Sequence, residues 1–403
     1  MFLLVTTEGH FSRTAAGTIR TSGPANYAFW SRYLDVFEEI IVLARVSHSD
    51  QPNGGEQSRS DGPGVSFRAL ADYSGPWEFF RLRSKIRAIV RDAVRESDAY
   101  ILRVPGLVGQ LASHEIERLR RPYALEALGD PWDALGPGTW PSALRPLVRP
   151  VGTLQLKRLC KKASAVSYVT QHALQLRYPP GKNTYATGCS DAMMDSAFGS
   201  AEDVEKRIRR IDALHTGGLR EPVHIGFLGT LARLYKGPDI LLRAAALCSI
   251  RGLNFGLSMA GSGRHAEKLK KLAERLRIHD RTQFLGQIPF GEPVRDFLDS
   301  IDLFVMPSRQ EGLPRALLEA MARGCPCIGT DVGGIPELLA REDLVASGNA
   351  NRLAEAIMRV ARDPELLKAM ARRNYERAKQ FRPEPLREAH RSFLQVVRAR
   401  AEK

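Results

Sequence analysis

Two glutamates, Glu311 and Glu319, have seven residues between them in the stretch IDLFVMPSRQEGLPRALLEAMARGCPCIGTDVGGIPELL, residues 301–339. Eight residues of helix rise about 12 Å and end about 80° round from the start, so these carboxylates do not suit the roughly 5 Å pair of a double-displacement glycosidase. They suit gripping two ends of one long, hydroxyl-rich ligand with a phosphate between. A helix is expected to open after Glu311-Gly312-Leu313, and a helix start offers unpaired N–H groups and partial positive charge to an anion, with Gly312 allowing close approach. Glu311 repels a phosphate and so faces a neutral, hydroxyl-bearing part of the ligand. Lys236 and Arg233 lie in a loop that ends in Lys236-Gly237 beside another helix start, where charge-assisted bonds to a diphosphate are good chemistry. Gly229 opens that loop, and the turn Gly261-Ser262-Gly263 follows a strand and precedes a helix, as a ligand-facing turn needs.

The elements that position these residues follow from hydrophobic runs and their punctuation. In the second half, strands are expected at 224–228, 255–260, 303–306 and 325–329, and helices at 238–248, 265–276 and 314–322, with another starting at Pro336. Cys325-Pro326-Cys327 alternates within a strand pattern and reads as core. Helices at 351–362, 364–379 and 386–398 end the chain. In the first half, strands are expected at 2–6, 40–44, 65–70, 99–104, 122–128 and 165–169. Glu8-Gly9-His10 reads as a loop, 24–35 and 108–119 as helices, and 47–64 as a mobile polar loop. Alternating strands and helices make parallel sheets whose ligands lie beyond the carboxyl ends of the strands. Asp130 stands at such an end. It either orients or deprotonates an acceptor hydroxyl or caps a loop or helix.

The whole stretch from 301 to 339 resembles the Glu-x7-Glu signature of the retaining glycosyltransferases of family 4. The resemblance is strong over 222–380 and architectural over the first 180 residues. It implies an α/β protein of GT-B architecture, two Rossmann-like domains with parallel sheets facing across a cleft. Residues 1–195 with the C-terminal helix 386–403 would bind the acceptor, 196–221 would link, and 222–385 would bind the nucleotide-sugar donor. In that family the first glutamate contacts the donor sugar and the second the ribose, and the backbone near 284–288 meets the nucleobase. The chain departs from relatives in places. Thr230 holds the position of a usual arginine, leaving Lys236 as the carry-over and Arg233 as its substitute. Ser22-Gly23-Pro24 stands where relatives often carry a Gly-Gly pair, which leaves Gly23 and Gly9 weakly marked, and Asp130 stands where they often have a histidine. The implied reaction is a retaining, front-face transfer from a nucleotide-diphosphate sugar to a hydroxyl of a polysaccharide, lipid-linked oligosaccharide or glycolipid. No metal or other cofactor is expected, since cationic side chains neutralise the diphosphate and no Asp-x-Asp is flanked by strands.

Composition bounds these expectations. A chain of 403 residues with 43% apolar residues can build two cores, which excludes disordered and fibrous classes. Five scattered cysteines argue for a reducing compartment. The first residues lack a basic leader, so the protein is expected in the cytoplasm, either free or peripheral on the inner face of the membrane. A net charge of +14 asks for an acidic partner. Six cations against one acid lie in 79–95, bounded by Phe79 and Arg95, and six with no acid lie in 142–162, bounded by Ser142 and Lys162. Such segments either lie on an anionic membrane surface or are cationic surface helices, and for the second, contact with an acidic acceptor is a further alternative. A nucleotide-sugar 2-epimerase of the same architecture is the isomerase alternative. No nucleic-acid motif accompanies the charge, so nucleic acid is not an expected partner.

Overall fold

Apolar runs that do not alternate make strands buried on both faces, and such strands run parallel with helices packed above and below. The computed structural model describes residues 1–48, 58–73, 75–135, 145–190, 198–215 and 222–402. It divides into two units, Met1–Pro131 with Pro150–Asp191 and Leu386–Lys403, and Trp132–Arg149 with Ala192–Pro385. Among the described residues no helix is long and apolar enough to cross a membrane.

The first unit holds strands β1 (Phe2–Arg13), β2 (Ile19–Thr21), β3 (Glu39–His48), β4 (Ser58–Arg59), β5 (Val65–Ala71), β6 (Ala99–Val104), β7 (Ala124–Ala127), β8 (Ala165–Tyr168) and β9 (Tyr185–Gly188). Its parallel strands lie in the order β5-β3-β1-β6-β7-β8-β9, and β2 and β4 add antiparallel to the far end of β1. The sequence stops β1 at Thr6, but the strand continues to Arg13 through a register shift between Thr6 and His10. Glu8-Gly9-His10 is therefore a bulged strand segment rather than a loop, because the chain beyond it pairs with β3 again in a shifted register. Of the expected mobile loop 47–64, residues 49–57 lie outside the described residues. The helix expected at 24–35 starts later, at Tyr27, where the Asn26 side chain caps Phe29 N–H, and it tightens into a 3-10 turn at Arg32–Asp35.

Three helices of this unit lie against one another: α1 (Gly75–Glu96), α2 (Leu107–Arg118) and α3 (Arg145–Lys162), the last belonging to this unit from Pro150. Arg87 of α1 meets Glu115 of α2 at 2.7 Å, and Arg158 and Lys162 of α3 meet Glu117 of α2 at 3.1 and 3.0 Å. The two basic segments thus flank α2. Residues 142–144 of the second lie outside the described residues.

The second unit has six parallel strands: β10 (Val223–Leu228), β11 (Phe255–Ala260), β12 (Thr282–Gly286), β13 (Leu303–Met306), β14 (Cys327–Thr330) and β15 (Leu344–Val345). Their order is β12-β11-β10-β13-β14-β15, so the winding reverses between β10 and β13. Cys325 and Cys327 are fully buried free thiols, as a core strand demands. The stretch 196–221, expected as a linker, contains helix α4 (Ala201–His215) in its described part; 196–197 and 216–221 lie outside the described residues. The correction has a plain cause: Val204, Ile208 and Ile211 recur at helical spacing and bury, the first two against Tyr375, while Glu205, Lys206 and Arg209 between them face outward. Arg207 of the same helix donates to the carbonyls of Leu298, Ile301 and Arg323, which pins it to this unit.

The C-terminal helix, Pro383–Ala401, packs from Leu386 onward into the first unit, where Phe393, Leu394 and Val397 join the core of Leu3, Val5 and Trp30. Truncating the fully buried Phe393 to Ala is expected to cost about 3–5 kcal/mol, read as a lowered urea midpoint for the first unit. An unchanged midpoint would show that this helix is not part of that core.

Candidate active site

Beyond the carboxyl ends of β10 and β13, at the reversal of winding, two loops meet. The first runs from Gly229 through the 3-10 turn Leu234–Lys236 to Gly237, where helix α5 (Pro238–Ile250) begins. The second runs from Pro307 to Pro314, where helix α6 (Arg315–Ala322) begins. Gly237 has φ +70 and lies against the Pro307 carbonyl; Gly333 has φ +54 and lies against the Glu311 carbonyl. Any larger residue at either place would carry backbone strain and collide, so these glycines set how closely the loops pack. Gly334 N–H donates to the Gly312 carbonyl at 2.7 Å, and Arg309 N–H to the Tyr235 carbonyl at 2.6 Å. Gly261 passes against the Gly229 carbonyl and Gly263 against the backbone of Ala232, while Leu231 N–H bonds Ser262 O at 2.8 Å.

This packing brings Lys236 onto Glu311. The ammonium donates to both carboxylate oxygens, at 2.7 and 2.8 Å, and the Ser308 hydroxyl donates to Oε1 at 2.7 Å. Both side chains are largely out of water, at 16% and 6% exposure. The Ser308 carbonyl in turn accepts from the Thr330 and Ser347 hydroxyls at 2.6 and 3.0 Å. The residue types had assigned Lys236 to phosphate and Glu311 to sugar separately; the structure joins them in one charge-paired group.

Around that group stand free donors. The N–H groups of Gly312 and Leu313, and those of Arg315 and Ala316 in the first turn of α6, have no hydrogen-bond partner among the described residues, and no side chain caps the helix. Glu319 follows one turn further along α6. It is half-buried without a hydrogen-bond partner among the described residues, and desolvation pushes its carboxyl up to about 7 although Arg315, four residues before it, pulls the other way. Arg233 is exposed and makes no hydrogen bond or ion pair among the described residues, so it is near the loop's cation without joining it. Thr230, in the usual arginine's place, accepts from Ala232 N–H at 3.1 Å.

Residue type and spacing missed the tie between Arg309 of the second loop and Asp239 in the first turn of α5, a two-pronged ion pair at 2.9 and 2.8 Å. A charge two positions before Glu311 was the only mark of it.

In the first unit, Asp130 is 5% exposed, and its two oxygens accept from the Arg177 guanidinium and the Tyr178 hydroxyl. Gly23 is held by its N–H to the Thr21 hydroxyl at 3.0 Å, and Gly9 lies in the bulge of β1. At the corresponding reversal of this sheet, between β1 and β6, Glu8 accepts from Val108 N–H in the first turn of α2 at 2.8 Å and from the Tyr73 hydroxyl at 2.9 Å.

Residues 219–377 match the glycosyl transferases group 1 family. Protein CapJ of Staphylococcus aureus is 25% identical over 337 residues, 83% of this chain and 80% of that one. WcaL of Salmonella typhimurium, named a putative colanic acid biosynthesis glycosyltransferase, is 31% identical over 173 residues, 40% of this chain and 42% of its own length. Among solved structures, Anabaena HepE in complex with UDP and glucose is similar with TM-score 0.63 and 17% identity over 99% of this chain and 98% of that one. The fold class is that of the GT-B transferases, built of two Rossmann-like units. The 2-epimerase alternative draws no support from these relatives.

A titration isolates the least usual group of the site. Followed by carbon-13 NMR of its carboxyl, Glu319 is expected to lose its proton near pH 7, and Arg315→Met to move that midpoint higher. A midpoint in the ordinary carboxylate range would show a solvated side chain.

Proposed function

We propose, from the premise that residues 219–377 place this chain among the group 1 glycosyl transferases, that it moves a sugar with retention and without a metal. The donor would be a nucleotide-diphosphate sugar, and the acceptor a hydroxyl of a polysaccharide, lipid-linked oligosaccharide or glycolipid. One observation carries the proposal: a lysine and a glutamate paired beside an uncapped helix start, at the winding reversal of the second sheet. The HepE complex with UDP and glucose supports a donor of this class, and WcaL's name supports a polysaccharide product.

In this reading the diphosphate lies between the Lys236 ammonium and the N–H groups of Gly312, Leu313 and the first turn of α6. Those donors are fixed before the ligand arrives, so they stabilise the charge that grows on the leaving phosphate without reorganising. Glu311 accepts from sugar hydroxyls, and Glu319 meets the ribose. A further carboxylate close to these loops, Asp239, is held by Arg309, and Glu311 is already bonded to Lys236 and Ser308. Neither is disposed as a nucleophile, which supports front-face displacement over a covalent intermediate. The bond from the anomeric carbon to the phosphate oxygen breaks as the bond to the acceptor oxygen forms on the same face, and the acceptor proton passes to the departing phosphate. Lys236 and the backbone donors supply the charge that a metal would otherwise bring. Asp130, already bonded to Arg177 and Tyr178, would orient the acceptor.

The basic helices α1 and α3 would meet an anionic membrane surface at the cytoplasmic face, where a lipid-linked acceptor resides. Trp77 and Phe80 support this, since they are 83% and 58% exposed on a helix that also carries Arg81, Arg83 and Lys85. Binding to vesicles rich in anionic lipid is expected to fall when both are replaced by Ser, and binding equal to that of neutral vesicles would remove this part of the proposal.

The reaction itself is tested by incubation with a panel of nucleotide sugars and a hydroxyl acceptor, the product being read by proton NMR. The donor's anomeric configuration is expected to persist, EDTA to have no effect, and Glu311→Gln to lower kcat by about a hundredfold or more, the scale of losing one positioned contact in a transition state. An inverted product, loss of activity on chelation, or full activity in the variant would each overturn a named part of it.

A further inference from the structure

A single 3-10 turn cannot hold a long flexible side chain in one place, because it makes too few bonds of its own. Lys236 ends such a turn, three residues long, and yet its ammonium meets both Glu311 oxygens. What fixes the turn comes from the opposite loop. Arg309, two residues before Glu311, sends its guanidinium to the Leu234 carbonyl at 2.6 Å and to both oxygens of Asp239 at 2.9 and 2.8 Å. Its own N–H reaches the Tyr235 carbonyl at 2.6 Å. These bonds close on the chain before and after Lys236, and all start from the residue that leads into Glu311. The two ends of the ion pair are 21% and 19% exposed, so water competes with it only in part.

We infer that the Arg309–Asp239 pair is the positioning element of the donor site: it sets where Lys236 stands relative to Glu311 and thereby the rate of sugar transfer. The inference rests on the proposed transferase reading. A planar guanidinium matched to a carboxylate fixes direction as well as distance, which a lysine at 309 would not do. Arg309 touches neither Glu311 nor Lys236 side chains through its guanidinium; it acts through the backbone that carries them. Its bonds are already directed at Asp239 and Leu234, which separates it from Lys236 as a phosphate ligand.

The experiment compares Arg309→Met, Arg309→Lys, Asp239→Asn and the double variant Arg309→Met/Asp239→Asn in the full chain, with Lys236→Met as reference. Steady-state kinetics, calorimetric Kd for the donor's nucleoside diphosphate and melting temperature are read for each. Misplacing a catalytic group by about 1 Å can cost on the order of a hundredfold in rate. Arg309→Met and Asp239→Asn are therefore each expected to lower kcat by roughly ten- to a hundredfold with KM little changed, and the double variant to be no worse than the poorer single, since both remove one interaction. Arg309→Lys is expected to recover only part of kcat. If Arg309 instead binds phosphate directly, Asp239→Asn frees the guanidinium, keeps kcat and leaves or tightens Kd, while Arg309→Met weakens Kd; that pattern overturns the inference. So does a fall in melting temperature with unchanged kcat per folded molecule, which marks a merely structural pair. Full activity of Lys236→Met would instead sink the underlying reading of the cluster, an outcome separate from either of these.

Discussion

The contact between Lys236 and Glu311 is the constraint on which the loop cluster of the second unit depends. Removing two charges from water costs several kcal/mol each, and their attraction offsets this only with good geometry and further hydrogen bonds. Here the ammonium spans both oxygens and a serine hydroxyl adds a third bond. The two residues are 75 positions apart in the chain, so the geometry cannot come from local structure. It comes from loops pressed together: Gly237 touches the Pro307 carbonyl, and Gly333, in the turn after β14, touches the Glu311 carbonyl. Such a pair adds little to stability by itself, and its worth lies in the place it gives a cation beside an open helix start.

Why the second unit should take the anion follows from comparing two equivalent helix starts. Both sheets reverse their winding after the first strand, and in each the helix after the fourth parallel strand opens at that reversal: α2 after β6 and α6 after β13. In the first unit Glu8, on the first strand, accepts from Val108 N–H and fills the start of α2 with a carboxylate of the chain itself. In the second, the first strand ends at Leu228 and Gly229, with no side chain to play that part, and the start of α6 keeps its N–H groups open. One topology thus yields one self-capped helix start and one that is available to a phosphate.

What the sequence made legible divides along the same physical line. Helix starts, strand ends and the charges set on them follow from local pattern, so Glu311, Glu319, Lys236 and Asp130 could each be placed at the edge of a sheet. Which of them bond to one another depends on chain segments far apart, and no spacing rule reaches that far. Asp130 stands at the expected strand end, but its partners Arg177 and Tyr178 come from 47 and 48 residues later. Asp239 could be seen to favour its helix start, while its tie to Arg309 spans 70 residues. Helix α4 was hidden differently. EDVEKRIRRID is so rich in charge that it reads as a solvated linker, and only the partners of Val204 and Ile208 on a later helix make their spacing matter.

Glu319 shows how the site limits its own charge. One turn from Arg315, a carboxyl would ordinarily ionise with ease. Loss of water outweighs that attraction and lifts it to about 7. A diphosphate brought to the start of the same helix would repel a second carboxylate, which raises the proton's hold still further. A neutral carboxyl can donate as well as accept, so it can meet a ribose whose hydroxyls do both. On the proposed donor, then, the site sets one carboxylate against the ligand's negative charge, and that one is bonded to Lys236. The burial that leaves the Glu319 carboxyl without a partner among the described residues is therefore what would let two acids and the proposed diphosphate share one helix.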